Sequence, residues 1–152
     1  MGNGDVSMRL RSGKPMLVLA VLLAGCGGHK APSAESVARA WSAALNHSDN
    51  VAAANLFAPE AEVVQGGVIV LKSRHDATEW NAGLPCGGRI TRVIHQGKDS
   101  VLVVFALTER PGHHCDAPGL AAAAVFTVQK GKIVRWRQTF PPKQAPPVGP
   151  AI

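Results

Sequence analysis

The chain has no tyrosine, only three cysteines and an aromatic content of 5%. The missing phenol removes one of the usual oxyanion donors of acid–base enzymes. Nucleic acid is not an expected partner. The formal net charge is +6, but the Lys and Arg residues are scattered, without the basic stripe such surfaces show. No second Cys/His cluster stands at zinc spacing beside His113, His114 and Cys115, so no metal and no cofactor are expected. Ser36, Ser42 and Ser73 lack the strand–turn–helix setting of a nucleophile elbow. Long apolar runs are also missing. The stretch from Met16 to Leu23 falls far short of the roughly 20 residues a membrane-spanning helix needs.

What is present starts at the N-terminus. Arg9, Arg11 and Lys14 precede the apolar stretch, which ends in Leu23-Ala24-Gly25-Cys26. Basic residues, a short apolar core and small residues before a cysteine resemble a bacterial lipoprotein signal peptide. The resemblance implies cleavage after residue 25 and acylation of Cys26. Membrane lipid would then be the first partner, and the cell envelope the location. Gly27 rather than Asp after the cysteine would favour the outer membrane where the cell has one. Met8 is an alternative start, because Arg9 follows it directly. Residues 26–32 read as a tether. The lipid anchor leaves Cys86 and Cys115, and in an oxidising envelope two such thiols are expected to form a disulfide. Metal binding through the His113-His114-Cys115 run and two free thiols are the other readings.

The body reads as one domain over residues 33–140, followed by a proline-rich tail (141–152) expected to be disordered. Ser33 is a helix N-cap, and Val37, Trp41, Ala44 and Leu45 recur at helical spacing. A second short helix is expected over Val51–Phe57, ended by Pro59. Ala61–Gln65 and Val68–Leu71 flank Gly66-Gly67 as a hairpin. Ser73 caps a third helix through Trp80, where His75 and Asp76 read as capping and turn residues. Four strands follow: Arg89–Gln96, Ser100–Glu109, Leu120–Gln129 and Lys132–Phe140. Pairing Gln96 with Asp99 across the first turn would put Cys86 near Glu109 and His95 near Ser100. Ile90, Val103 and Phe105 are expected on one face, and Val93, Leu102 and Val104 on the other. Segregated helices and strands make an α+β layer. Apolar residues on both faces suggest that a homodimer partner or an envelope protein covers the face without helices.

This element order resembles the nuclear-transport-factor-2-like (NTF2-like), or SnoaL-like, cone fold. The landmarks are Leu56-Phe57-Ala58-Pro59-Glu60-Ala61, Leu107-Thr108-Glu109-Arg110 and Gly131-Lys132-Ile133-Val134-Arg135-Trp136-Arg137. The resemblance implies a curved antiparallel sheet of about six strands, packed against three helices and enclosing a pocket. It also supplies two catalytic layouts to compare. Limonene-epoxide hydrolase relatives use two aspartates bridged by an arginine. Arg110 matches the arginine, while the aspartate positions carry Gly112 and Gln138. The ketosteroid isomerase layout would place its base at Gln65, and it needs a tyrosine. An amide cannot take a proton from water, so no catalytic residue is assigned. Asp116, in a nearby loop, is the one substitute the sequence offers.

By the same resemblance Gln65, Trp80, Arg110, Val134, Trp136 and Gln138 line the pocket, with Phe140 on the same face. A few amides in an apolar hollow suit a small apolar ligand. The sequence therefore describes a lipid-anchored binding domain. An epoxide hydrolase- or isomerase-type enzyme with relocated acid–base residues is the alternative.

Overall fold

The computed structural model describes residues 30–143 together with Gly2. Residues 1–25 apart from Gly2, read from the sequence as a signal segment, together with Cys26, residues 27–29 and those beyond Lys143, lie outside the described residues. The elements are α1 (Ala34–Asn46), α2 (Asn50–Ala54), β1 (Phe57–Val64), β2 (Val68–Leu71), α3 (Arg74–Ala82), β3 (Gly87–His95), β4 (Ser100–Thr108), β5 (Ala121–Gln129) and β6 (Lys132–Thr139). Among the described residues no helix is long and apolar enough to cross a membrane.

Side chains set the helix starts. Ser33 Oγ accepts from the Ser36 amide at the head of α1. Asp49 does the same for Ala52 at α2. At α3, Ser73 and Asp76 bond reciprocally in a capping box. Glu35, in the first turn of α1, pairs with Arg39 at 2.7 Å and with His95 at 3.1 Å. The hydrogen bond from Arg39 is the main reason its carboxyl titrates below the usual carboxylate range.

The strands form one six-stranded sheet in the order β2-β1-β6-β5-β4-β3. All neighbours are antiparallel except β1 and β6, which run parallel. The sheet is therefore mixed, not antiparallel throughout. The chain between β1 and β6 passes through β2, α3 and β3–β5, a connection long enough for parallel pairing. The second helix is also shorter than expected. It ends at Ala54, and Phe57 already pairs with Ile133. Pro59 does not stop a helix. It lies in the irregular part of β1, where the register shifts between Phe57 and Glu62 and Glu60 takes φ 59°. A bulge is where a strand tolerates a proline.

Two further bulges decide which side chains face inward. In β3 the register shifts between Ile90 and Arg92. His95 opposes Val101 rather than Ser100, yet Gly87 opposes Thr108. The turn is thus one residue off the expected pairing, and the bulge restores it by the start of the strand. The same bulge turns Val93 to the helix-covered face, beside Ile90, rather than to the opposite one. In β6 the shift lies opposite Thr127 and Val128. There Ile133 is fully buried, and Val134 is the extra residue of the bulge. The β5–β6 link is a two-residue turn with positive φ at both Lys130 and Gly131, the geometry a tight hairpin requires.

The helices cover the concave face. Every aromatic side chain except Phe140 joins one cluster there, with Trp41 of α1 in the middle. Its ring centroid lies 5.3 Å from Phe126, 6.1 Å from Trp136 and 6.3 Å from both Trp80 and Phe105. Such pairs contribute roughly 0.5–1.5 kcal/mol each beyond their buried area. On the opposite face Leu102, Val104, Ala123 and Val125 are buried rather than open to water. Phe140 lies beyond the end of β6 and is 92% exposed, so it is not part of the inward row.

Cys86 and Cys115 form a disulfide, with their Cα atoms 4.7 Å apart. It ties the loop after β4 to the entry of β3. Chain-entropy models assign about 3–4 kcal/mol to closing a loop of this length. Replacing both cysteines by serine is expected to lower the unfolding free energy by about 3 kcal/mol, read as a lower urea midpoint. An unchanged midpoint would show that the bridge restrains nothing in the unfolded chain.

Candidate functional site

A cavity of about 200 Å³ opens at one end of the sheet. α1 supplies Trp41, Ser42 and Leu45, the sheet supplies Phe105, Leu107 and Trp136, and the loop before β3 supplies Leu84 and Pro85. The space exists because β5 turns alanines inward at its start. Ala122 and Ala124 line the cavity, whereas Phe126 and Val128, further along the same face, fill the core. Gln65 and Gln138, from the ends of β1 and β6, stand exposed at the rim. No lining residue carries an ionisable side chain, since the one cysteine, Cys86, is bridged. The lining can therefore donate and accept hydrogen bonds at its rim but cannot exchange a proton with a ligand. Among the described residues no group of His, Cys, Asp and Glu could hold a metal ion.

Beside this cavity lies a polar clasp. Arg110, just past β4, is 3% exposed. Its Nη1 donates to the backbone oxygens of Asn81 (3.0 Å) and Leu84 (3.2 Å), its Nη2 to Asn50 Oδ1 (2.7 Å) and its Nε to Ser48 Oγ (3.1 Å). Every acceptor is neutral, and among the described residues no ion pair includes it. Burial penalises the charged form and lowers its pKa from the usual arginine value. The network continues inward. Asn81 is fully buried, accepts from Trp41 Nε1 at 2.8 Å and donates to Ala77 O. One chain of bonds therefore joins α1, α3, the α2 cap and the loop after β4.

The residues expected to line a pocket divide accordingly. Gln65, Trp136 and Gln138 line the cavity. Trp80 does not. It packs against Phe57 and Trp136, with centroids 5.6 and 5.1 Å away. Arg110 is turned into the clasp, where the carbonyls ending α3 meet its guanidinium. Val134 is displaced by its bulge. Gly112 is a turn residue with φ 74°. Asp116 is exposed, near His114 (3.6 Å). Cys26 lies outside the described residues.

Asn81 and Asn46, which brace the site, had no role in the sequence reading, and Ser42, read there only as lacking a nucleophile elbow, lines the cavity. Ser42 Oγ donates to Gly88 O, and Asn46 both accepts from Gly88 N and donates to Gly88 O. Polar residues four apart on an otherwise apolar helix face were the available signal. Their partner, a glycine pair, explains the close approach. A Cβ on Gly87 would stand 2.5 Å from Asn46 Oδ1.

No protein-family profile matches the sequence, and no curated protein matches it either. Solved structures do. An NTF2-like protein of unknown function from Cytophaga hutchinsonii is 13% identical, with 75% of this chain and 95% of that one covered and a TM-score of 0.59. An uncharacterized cystatin-fold protein from Novosphingobium aromaticivorans is 19% identical over 72% and 99% of the two chains (TM-score 0.56). A protein with a ketosteroid isomerase-like fold from Catenulispora acidiphila, in complex with trimethylamine, is 20% identical over 73% and 87% (TM-score 0.53). The chain has the NTF2-like fold.

Three variants test the clasp and the tryptophan it reaches. Arg110→Ala takes the donor from the part-buried acceptors Leu84 O, Asn50 Oδ1 and Ser48 Oγ, while Asn81 O keeps the Leu84 amide; it is expected to cost about 3 kcal/mol of stability by denaturant titration, and a cost under about 1 kcal/mol would contradict the clasp. Trp136 Nε1 is buried with no hydrogen-bond partner, whereas Trp41 Nε1 is bonded. Trp136→Phe should therefore cost at least about 1 kcal/mol less than Trp41→Phe, which orphans Asn81 Oδ1.

Proposed function

We propose that the protein is a membrane-anchored lipoprotein whose NTF2-like domain binds a small, neutral, apolar molecule without transforming it. The anchor rests on Leu23-Ala24-Gly25-Cys26 and the basic, apolar stretch before it. The observation that carries the binding role is the cavity lining: aromatic and aliphatic walls, alanines that leave room, and two amides at the rim. The volume corresponds to on the order of six waters, so the ligand is compact, with one or two polar groups for Gln65 and Gln138.

A hydrolase or isomerase of the kinds this fold hosts elsewhere would need a proton donor or acceptor facing the ligand. The lining contains none, which supports binding over catalysis. A docking role has its own support at the sheet edge. β2 leaves Val68, Ile69 and Val70 between 42% and 65% exposed, and such an edge can accept a further strand from another chain.

Native mass spectrometry of the processed protein, purified from its own membrane, tests both halves. It should show a chain beginning at acylated Cys26 and a retained small molecule. Ala122→Leu fills the cavity from a half-buried position, and should abolish retention while the circular dichroism spectrum stays unchanged. Binding of a neutral probe such as cyclohexanol, followed by tryptophan fluorescence, should not vary between about pH 5 and 9, because no lining group titrates. Full retention by Ala122→Leu, or a bell-shaped pH profile, would refute the binding site.

A further inference from the structure

The topology sorts the molecule into two poles. The cavity mouth and the disulfide occupy one. The other collects the β3–β4 and β5–β6 turns and the N-termini of α1 and α3. The β3–β4 turn reaches the β5–β6 end through the bond from Val128 N to Asp99 O. The head of α1 reaches it through the Glu35–His95 pair. Lys132 lines a recess of about 280 Å³ together with Lys72, Ser73 and Arg74. This second pole therefore carries Lys30, Lys72, Arg74, Lys98, Lys130 and Lys132, all exposed. The carboxylates nearby are fewer and partly engaged. Glu35 is paired with Arg39 and His95, and Asp76 bonds the Ser73 amide. Glu60 and Asp99 complete the set.

The N-terminal segment also leaves from this pole. Pro32 rests on the β5–β6 turn, so closely that a Cβ at Gly131 would lie 2.8 Å from Pro32 Cδ. From Pro32 back to Cys26 the chain can reach at most about 20 Å. We infer that this basic pole docks flat on an anionic phospholipid surface and holds the cavity mouth away from it, the strand length setting the mouth about 25 Å above the lipid. The inference rests on the lipid-anchored reading given above. The short tether keeps the pole at high local concentration over the bilayer. Each lysine near an anionic surface then adds an attraction that fades within about 8 Å at physiological salt.

The test is hydrogen–deuterium exchange on the full processed chain with vesicles of equal parts phosphatidylglycerol and phosphatidylcholine, against vesicles of phosphatidylcholine alone. With phosphatidylglycerol, amides of the β5–β6 turn, the β3–β4 turn and the start of α3 should exchange about tenfold more slowly, while those of residues 84–88 stay unchanged. The charge reversals Lys98→Glu and Lys130→Glu, at positions with no hydrogen bond in the fold, should together remove that protection, as should high salt. Equal exchange on both vesicle types, or protection of the mouth instead, would overturn the docking. Slowing by inorganic phosphate alone, to the same extent as by vesicles, would overturn it too and indicate a small-anion site. Failure of the anchor reads separately: the intact mass then lacks acyl chains, and the protein does not stay with phosphatidylcholine vesicles. The exchange comparison on phosphatidylglycerol still decides the docking in that case.

Discussion

The structure depends on how Trp41 is held. Its indole occupies the centre of the concave face and touches aromatic side chains from α3, β4, β5 and β6. Its one polar atom is spent on Asn81. Asn81 in turn presents its carbonyl to Arg110, so a single line of contacts runs from the core to the loop after β4. A buried polar network of this kind is costly unless every member is satisfied. Here the guanidinium finds four neutral acceptors, and the disulfide beside it limits how far the loop can move. The end of the sheet that frames the cavity is thereby braced by both the clasp and the disulfide.

Chemistry follows from what that bracing leaves over. The epoxide-hydrolase layout weighed against the sequence would set an arginine between two aspartates. In this chain Arg110 organises structure, because its acceptors are the ends of helices and not carboxylates. The cavity next to it has room because of alanines and polarity because of amides. Its lining offers shape and hydrogen bonding at the rim, which is what the proposed binding role would use. A fold does not by itself imply a function, which lives in the site grafted on it.

Much of the fold was legible. Ser33 and Ser73 are caps whose side chains do what short polar residues before an apolar periodic run do. Lys130-Gly131 and Gly66-Gly67 mark turns through the same local logic. The Cys86–Cys115 bridge was readable because strand pairing brings both cysteines to one end. The candidate site was less legible. Gln65, Trp136 and Gln138 alternate as a regular strand predicts. Val134 and Val93 do not: Val134 is itself the extra residue of the β6 bulge, and Val93 follows the β3 bulge, which moves it to the other face. Nothing in the local sequence announces those bulges. Arg110 and Trp80 were misplaced for a different reason: both could face a hollow or a neighbouring element, and only the position of α3 distinguishes the two.

The sequence by itself determined the local features: where helices begin, where chains turn, which segments alternate as strands, and that residues 65, 112 and 138 are not carboxylates. These depend on neighbours within a few residues, or on identity alone. Tertiary structure decided the rest: the parallel pairing of β1 with β6, the inward direction of side chains past each bulge, the neutral surroundings of Arg110, and the gathering of lysines from separate segments onto one pole. Those outcomes depend on which distant segments meet, and the free energy of packing Trp41 against the sheet selects among pairings that local preference leaves nearly equal.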